Sequence, residues 1–159
     1  MVILTLITVG TLKENYLKDA VSEYKKRLLQ YARVEEINIK EETIHNEDDR
    51  AEIERALSVE GEKIISAIPK DSAAIALCVE GKELDSPRLA EKISEMQNEK
   101  GKITLIIGSS YGLSPAVKAR ADFRLSLSRL TFPHQLMRPI LLEAVYRSFT
   151  IIAGKRYHK

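Results

Sequence analysis

Residues 103–135, ITLIIGSSYGLSPAVKARADFRLSLSRLTFPHQ, contain the features that decide the fold class. The apolar run at residues 103–107 is typical of a buried β-strand, and it ends at Gly108. Ser114-Pro115 predicts a helix start, because serine caps free N–H groups and proline fits the first turn. A second strand, at residues 123–127, follows. Ligands bind at the carboxyl ends of strands in open α/β sheets, so we expect a binding site in the loops after these two strands.

The rest of the chain alternates between strand and helix patterns. Continuous apolar runs predict buried strands, and each is followed by a segment with apolar residues at helical spacing. The runs are residues 2–9 and 73–79, and residues 34–39 are read as a further strand. Five strand–helix units without a linker predict one α/β domain over residues 1–159. We expect a mostly parallel sheet with helices on both faces.

Three short motifs predict where helices begin and end. Thr11 and Glu14 have the spacing of a capping box. Ser86-Pro87 combines an N-cap residue with a proline at the first helical position. Gly101 is placed to end the helix that follows. Gly61, inside the second helix, lowers helix propensity by about 1 kcal/mol relative to alanine, which favours close packing or a bend there.

The composition is that of an ordinary globular protein. The 159 residues are 44% hydrophobic and 30% charged, and Cys78 is the single cysteine. One cysteine excludes an internal disulfide and favours a reducing compartment, so we expect a cytoplasmic protein. The apolar start at residues 2–9 lacks a basic region before it, which favours a strand over a signal peptide. No run approaches the ~18 apolar residues of a membrane span.

Charge is distributed unevenly along the chain. The net charge is +2, but residues 41–100 contain eight Lys/Arg against sixteen Asp/Glu. Residues 101–159 contain ten Lys/Arg against two acidic residues. A solvated basic face is one explanation. This basic segment overlaps the candidate site, which favours a polyanionic partner such as RNA.

Several common sites are excluded by their motifs. A dinucleotide fingerprint would place G-x-G-x-x-G after the first strand, where the chain reads VGTLK, and no P-loop is present. The sequence around Gly112 departs by one residue from the G-x-S-x-G elbow of serine hydrolases. His45, His134 and His158 are far apart and no Cys/His cluster exists, so we expect no metal.

A set of short segments spread over the whole chain has a recognisable combined pattern. They are VGTLKE near the start, Glu60 to Ile64, EGK after the third strand, Ile107-Gly108, Tyr111 to Ser114, Leu125 to Ser128, Thr131 to Gln135, Arg138, Leu142-Glu143, Tyr146-Arg147 and Tyr157 to Lys159. With these segments the chain resembles the RlmH family of SPOUT methyltransferases, and the TFPHQ segment and terminal YHK are the most specific parts of the resemblance.

The resemblance implies a specific activity and fold. Members of the family use S-adenosyl-L-methionine to methylate N3 of a pseudouridine in helix 69 of 23S ribosomal RNA, so the expected partner is the ribosome. They are homodimers, and their C-terminal segment forms a trefoil knot. Two further possibilities stay open: a SPOUT methyltransferase with another RNA target, and a non-catalytic RNA-binding or ribosome-assembly protein. A flavodoxin-like domain is a more distant one.

The resemblance also implies the residues of the site. The implied cofactor contacts follow three strands: Leu77, Gly108, Leu127, Ser128, Arg129, Leu130, Thr131 and Phe132. Glycine permits close backbone approach, loop backbone can bond an adenine edge, and the leucines and Phe132 offer apolar walls. Leu77, Leu127 and Leu130 are equally explained as plain core residues.

The catalytic group implied by the family lies near the C-terminus. Tyr157 and His158 match a tail that helps to complete the partner subunit's site, and Arg147 matches a helix arginine. We hypothesise that His158 contacts the target base or assists proton removal, while Arg147 and Arg129 hold phosphate or stabilise the developing anion. His134 suits a capping or bracing role as readily as catalysis.

Three residues depart from the family pattern. Ser109 stands where the family has a glycine. Its hydroxymethyl group either narrows the pocket or is accommodated if the backbone φ of Ser109 is negative. Pro139 predicts that the last helix starts near Arg138 or bends there, because proline lacks an N–H and clashes with the preceding turn. Ala144 replaces a glutamine on a helix expected at the dimer interface.

Overall fold

A computed structural model describes all residues 1–159. The five strands are β1 Val2–Val9, β2 Ala32–Ile39, β3 Ser72–Glu83, β4 Lys102–Ile107 and β5 Phe123–Ser126. The five helices are α1 Asn15–Leu28, α2 Arg50–Ala67, α3 Ser86–Lys100, α4 Pro115–Arg120 and α5 Met137–Ile152. Strand and helix alternate throughout, as the apolar patterns predict.

The strands form one sheet in the order β2-β1-β4-β3-β5, and every pairing is parallel. The predicted parallel α/β architecture is therefore confirmed. Parallel pairing brings the carboxyl ends of β3, β4 and β5 to one edge of the sheet. Among these three strands, β3 lies in the middle, between β4 and β5. The loops that follow these strands therefore meet at that edge.

Period-two alternation in the strands buries both faces of the sheet. Leu4 and Leu6 point into a large core shared with α1, α3 and α5, whereas Ile7 points into a smaller core shared with α2 and α4. Leu105 and Ile106 divide between the two cores in the same way. Continuous apolar runs are required because side chains on both faces are covered.

Two of the predicted helix starts are wrong in detail. Glu14 occupies the N-cap position of α1 without a side-chain cap, so the Thr11–Glu14 capping box does not form. Gln135 holds this loop instead: its Nε2 donates to the Thr11 carbonyl (3.2 Å), and its Oε1 accepts from Lys13 N (3.2 Å). A contact over more than 120 residues thus replaces the local one.

The other helix ends show which local signals prevail. α3 is capped by Asp85, whose carboxylate accepts from Arg88 N at 2.9 Å, so Ser86 is the first helical residue rather than the cap. Ser114 caps α4 as predicted, since its Oγ accepts from Val117 N at 3.3 Å. Gly101 ends α3 with a φ of 75°, in the left-handed region that favours glycine.

Gly61 is a packing residue, one of the two predicted possibilities. A Cβ at this position would lie 2.4 Å from the Oγ of Ser114 and 3.2 Å from Val117. α2 therefore approaches α4 closely enough to exclude any side chain. Because Ser114 also caps α4, this contact positions the start of the helix that follows the β4 loop.

The third strand is longer and less regular than its sequence predicts. Leu77 and Lys82 both pair with Leu125 of β5, so the residues between them bulge out of the sheet. Gly81 lies at the end of this bulge, where a Cβ would come within 2.7 Å of the Leu125 backbone. Bulges re-aim side chains and are frequent near active sites, and this one faces the β4 and β5 loops.

α5 begins at Met137, so Pro139 is its third residue, and the helix continues without a break to Ile152. N–H groups in the first helical turn have no intrahelical acceptor, which makes proline acceptable there. No helix combines the length and the apolarity needed to cross a bilayer.

Candidate functional site

A cavity of about 290 Å³ lies at the carboxyl ends of β3, β4 and β5. It combines one segment from each strand: the β3 bulge, the β4–α4 loop and the β5–α5 loop. Its lining residues are Leu77, Cys78, Val79, Glu80, Ile107, Gly108, Ser109, Ser110, Tyr111, Gly112, Leu113, Lys118, Ser126, Leu127, Ser128, Leu130, Thr131, Phe132, His134 and Met137. The volume is close to the lower end for small-molecule sites.

The β5–α5 loop, residues 127–136, presents free backbone groups to this cavity. No backbone–backbone hydrogen bond involves residues 127–132. Side chains satisfy only two of these groups: Ser126 Oγ donates to the Ser128 carbonyl at 3.1 Å, and Leu130 N donates to Ser128 Oγ at 3.0 Å. The remaining donors and acceptors are available to a ligand edge.

The β4–α4 loop, residues 108–114, folds tightly on itself. A Cβ on Gly108 would lie 2.3 Å from the Gly112 carbonyl oxygen, so glycine is required by the loop's own packing. Gly112 has a φ of 88°. Ser109 has a non-positive φ, is buried, and accepts from Tyr111 N through its Oγ at 3.3 Å. The hydroxymethyl group is thus accommodated as part of the turn.

The β3 bulge forms the third wall. Burial raises the pKa of the Cys78 thiol, which keeps it protonated and poorly nucleophilic. Glu80 is hydrogen-bonded to Lys118 of α4, and this bond lowers the pKa of the Glu80 carboxyl. Val79 is 65% exposed at the mouth of the cavity. The wall is therefore apolar with one neutralised ion pair.

The end of the β5–α5 loop is fixed to the first strand. Arg138 is only 6% exposed, and its Nη2 donates to the carbonyls of Val9 (3.1 Å) and Gly10 (2.5 Å). Together with Gln135, it forms what we call the loop clamp, which joins the start of α5 to the β1–α1 loop. His134, next to the clamp, lines the cavity, and burial lowers its pKa below the ordinary histidine value. This shift favours the neutral form of the imidazole.

Seven of the eight predicted cofactor-binding residues line the cavity. The exception is Arg129, which points away, is 91% exposed at its side chain and lies 3.3 Å from Glu83. Leu77 and Leu127 pack against the large core as well as the cavity. Leu130 is 71% exposed, so it is a wall of the cavity mouth and not a core residue.

The three predicted catalytic residues meet in a second group on α5, which we call the tail cluster: Glu143, Arg147, Tyr157 and His158. Arg147 Nε donates to Glu143 Oε1 at 2.8 Å, and Tyr157 Oη donates to Glu143 Oε2 at 3.0 Å. The guanidinium lies 4.6 Å from the Tyr157 ring centroid, and its Nη1 is 3.4 Å from His158 Nδ1. The tail thus folds back along its own helix.

Tyr157 is held as a neutral donor within this cluster. Burial and the hydrogen bond to Glu143 raise the pKa of its phenol. Its ring also packs edge-on against Tyr146, with centroids 4.9 Å apart. None of Arg147, Tyr157 and His158 lines the cavity of the same chain. The chain therefore carries two separate groups of candidate site residues.

Sequence reasoning missed two parts of these groups. Glu143 belongs to the Leu142-Glu143 match with the family but has no predicted role, although it anchors both Arg147 and Tyr157. The sequence predicts a plain strand over residues 73–79 and no bulge, although three residues of the bulge line the cavity: Cys78, Val79 and Glu80. No set of three or more His, Cys, Asp or Glu side chains is placed to hold a metal ion.

The cavity can hold a flat, largely apolar ring. Apolar side chains of Leu77, Leu127 and Leu130 stand beside free backbone N–H and C=O groups, which could bond the ring edge. Such a combination of apolar walls with a few fixed polar groups is characteristic of ligand sites. The charged side chains of Glu80 and Lys118 line the cavity but neutralise each other, so the cavity suits a cationic or neutral ligand.

Comparison with known proteins identifies the family. A family model described as "Predicted SPOUT methyltransferase" matches residues 2–158. The chain is 48% identical over 157 residues to the ribosomal RNA large subunit methyltransferase H of Carboxydothermus hydrogenoformans, covering 98% of this chain and 99% of that protein. The protein of the same name from Bacillus pumilus is 45% identical over 157 residues, with the same coverage.

A solved structure shares the fold. Reported as "Structural insights into the 2-OH methylation of C/U34 on tRNA", it aligns with a TM-score of 0.51 at 14% identity, covering 96% of this chain and 98% of that one. The family model and the relatives match nearly the full length of the chain, and the cavity lies at the carboxyl ends of the strands, where α/β folds bind ligands. The chain belongs to the SPOUT methyltransferase family, in its RlmH branch.

Proposed function

We propose that this protein transfers a methyl group from S-adenosyl-L-methionine to large-subunit ribosomal RNA. The observation that carries the proposal is the cavity, whose β5–α5 loop leaves its backbone groups free beside apolar side chains. This donor set fits the adenine and ribose of the cofactor. The names of the relatives support the RNA substrate.

The proposed cofactor contacts are the sequence-predicted ones that line the cavity. Leu77, Leu127, Leu130 and Phe132 enclose the adenine, and the backbone of Ser128 to Thr131 bonds its edge. Gly108 keeps the β4–α4 loop compact so that the methionine part has room. Arg129 contacts RNA phosphate instead, consistent with its 91% exposed side chain. A neutral His134 avoids repulsion of the sulfonium charge.

The proposed target is N3 of a pseudouridine in helix 69 of 23S ribosomal RNA, on the assembled ribosome. This target rests on the resemblance to the RlmH family. Excess positive charge in residues 101–159, with ten Lys/Arg against two acidic residues, supports a polyanionic substrate. A ribosomal substrate also places the enzyme in the cytoplasm.

The active unit is proposed to be a homodimer. The tail cluster and the cavity occupy different places on one chain, and a second copy would bring its tail cluster to this cavity. Tyr157, His158 and Arg147 would then act on the base beside the partner's cofactor. The trefoil knot expected of the family would include the β4–α4 and β5–α5 loops.

The chemistry requires positioning and removal of one proton. The cofactor supplies an activated methyl group on a sulfonium, and the nucleophile is the target nitrogen after it loses its N3 proton. The chain's residues hold the base in line with the methyl group and stabilise the negative charge that develops on the base carbonyls. Arg147 supplies a fixed positive charge, and His158 contacts the base.

Methyl transfer from labelled cofactor tests the proposal. Purified protein is incubated with intact ribosomes, isolated subunits, free ribosomal RNA and transfer RNA, and the labelled nucleotide is then mapped. We expect label at one large-subunit pseudouridine. Label in transfer RNA would replace the target, and cofactor binding without transfer to any RNA would favour a binding or assembly protein.

Deletion of residues 157–159 tests the tail separately. We expect cofactor affinity and dimerisation to survive and RNA methylation to collapse. His45→Ala is the control, because His45 lies in an exposed loop outside both functional groups. Full methylation by the shortened chain would remove the tail from the mechanism.

A further inference from the structure

The contact between Arg147 and His158 restricts the chemistry available to His158. The two nitrogens, Arg147 Nη1 and His158 Nδ1, are 3.4 Å apart. A guanidinium has five N–H donors and no acceptor. The hydrogen bond can therefore form only when Nδ1 of His158 carries no proton and accepts through its lone pair.

Three further interactions hold this arrangement in place. Glu143 Oε1 accepts from Arg147 Nε at 2.8 Å and lies 2.6 Å from Nη2, so one edge of the guanidinium is occupied and Nη1 points away from the carboxylate. Tyr157, the residue before His158, is bonded to the other oxygen of Glu143 at 3.0 Å. Its ring lies under the guanidinium at 4.6 Å.

The two ends of the Arg147–His158 contact are therefore fixed through one carboxylate. Both Glu143 and Arg147 are about three-quarters buried at their side chains, with 23% and 28% exposed. Charge-assisted bonds in such partly buried settings are stronger than neutral ones. His158 is an exposed residue, and its Nε2 has no hydrogen-bond partner within the chain.

We propose that Arg147, positioned by Glu143, fixes His158 as the tautomer with its proton on Nε2. This inference rests on the proposed function and assigns the direction of one hydrogen bond within it. His158 then presents an N–H donor to the target base and not a proton acceptor. A pyrimidine carbonyl beside the reacting nitrogen is the chemical group that such a donor recognises.

The assignment gives His158 a definite role in the methyl transfer. When the base loses its N3 proton, the negative charge spreads onto the two neighbouring carbonyl oxygens. The Nε2–H of His158 bonds one of these oxygens and stabilises the anion. The proton from N3 leaves to water or another base, and the electron pair on N3 takes the methyl group. His158 is the same before and after the step.

The tautomer can be measured directly in the dimeric protein. Uniformly ¹⁵N-labelled protein contains only three histidines, so His45 and His134 serve as internal references in the imidazole nitrogen spectrum, recorded above pH ~8, where histidines are neutral. His158→Gln identifies the His158 signals. We expect His158 Nε2 at the shift of a protonated nitrogen and Nδ1 at that of an unprotonated one.

Variants of the two positioning residues test the cause. Arg147→Met and Glu143→Gln are expected to convert His158 into a mixture of tautomers. Arg147→Lys, which keeps the charge but lacks the planar fork, should also release it, because one ammonium cannot serve Glu143 and His158 in the same geometry. A wild-type protein with the Nδ1–H form, or a tautomer unchanged in Arg147→Met, overturns the proposal.

Methylation kinetics separate a donor from a base. An amide donates a hydrogen bond but cannot take up a proton, so His158→Gln should stay within about tenfold of wild type, whereas His158→Ala should lose about 100-fold or more in kcat. Equal losses in both variants overturn the donor role. If the wild-type protein methylates no RNA, the proposed function fails, while the tautomer measurement still decides the geometry.

Discussion

Arg138 Nη2 lies 3.1 Å from the carbonyl oxygen of Val9, although 129 positions separate the two residues. This contact fixes the start of α5 against the end of β1. The charge is buried without a carboxylate in hydrogen-bonding distance, and its Nε has no partner. Burial lowers the pKa of the guanidinium from its ordinary high value. Carbonyl oxygens at the carboxyl ends of strands therefore provide its main compensation.

Replacement of Arg138 should loosen the loop clamp. Arg138→Met leaves the Val9 and Gly10 carbonyls without their donor, which we expect to lower the free energy of unfolding by about 1–3 kcal/mol. Cofactor affinity should fall as well, because the β5–α5 loop loses its attachment. Urea unfolding and cofactor titration measure the two effects. Gln135→Ala, which removes the more exposed half of the clamp, should cost less; a larger cost than for Arg138→Met would contradict this account.

Leu130 allows the cavity wall to be tested without loss of stability. Its side chain is 71% exposed in the single chain, so Leu130→Ala should leave the unfolding transition unchanged. If Leu130 covers the cofactor, the affinity should drop by about 1–2 kcal/mol, or roughly 5- to 30-fold. Leu29→Ala, at a 57% exposed leucine outside the cavity, is the matched control. Isothermal titration of both variants gives the comparison.

Gly61→Ala should destabilise the protein although alanine is the better helix former. The added methyl would lie 2.4 Å from Ser114 Oγ, which caps α4. We expect overpacking and cap loss of about 1–3 kcal/mol to exceed the gain of about 1 kcal/mol in helix propensity. Ser58→Ala, an exposed change in the same helix, should be neutral or slightly stabilising. Thermal unfolding of the two variants decides whether α2 and α4 are in contact as described.

Glu60 should make stability depend on pH in the acidic range. Glu60 is 3% exposed, its carboxylate accepts from Glu42 N at 2.9 Å, and burial raises its pKa. A raised pKa contributes stability that is present below the ordinary glutamate value and is lost as pH rises through the raised value. Glu60→Gln cannot ionise and keeps the acceptor oxygen. Its stability relative to wild type should therefore increase from about pH 4 to pH 8.

Denaturant midpoints at several pH values measure the effect. Glu62→Gln, an exposed change of the same kind in the same helix, controls for the removal of one negative charge. A constant difference between wild type and Glu60→Gln over this range would show that Glu60 is not held in a desolvated site.

Sequence patterns predicted the sheet because its strands are defined locally. Continuous apolar runs at residues 2–9 and 103–107 are sufficient to indicate strands covered on both faces. Parallel strands have their carboxyl ends at one edge, so the position of the site follows from the strand assignments. The resemblance to the family adds Leu77 and Leu127 as individual site residues, and both line the cavity.

The contacts that fix the site are non-local, and no local pattern predicts them. Arg138 at a helix start looks like a surface residue until Val9 is placed beside it. Gln135 replaces the capping box of α1 from more than 120 residues away. The β3 bulge depends on the approach of β5 to Gly81, which only the assembled sheet provides.

The sheet order has a consequence for synthesis of the chain. β1 pairs with β2 early, but its other neighbour is β4, at residues Lys102–Ile107. The apolar edge of β1 therefore stays open until about two-thirds of the protein has been made, and Arg138 arrives later still. Such long-range pairing slows folding and leaves an exposed edge prone to aggregation. We expect nascent chains to need a chaperone during this interval, and newly made protein to gain cofactor affinity only after release.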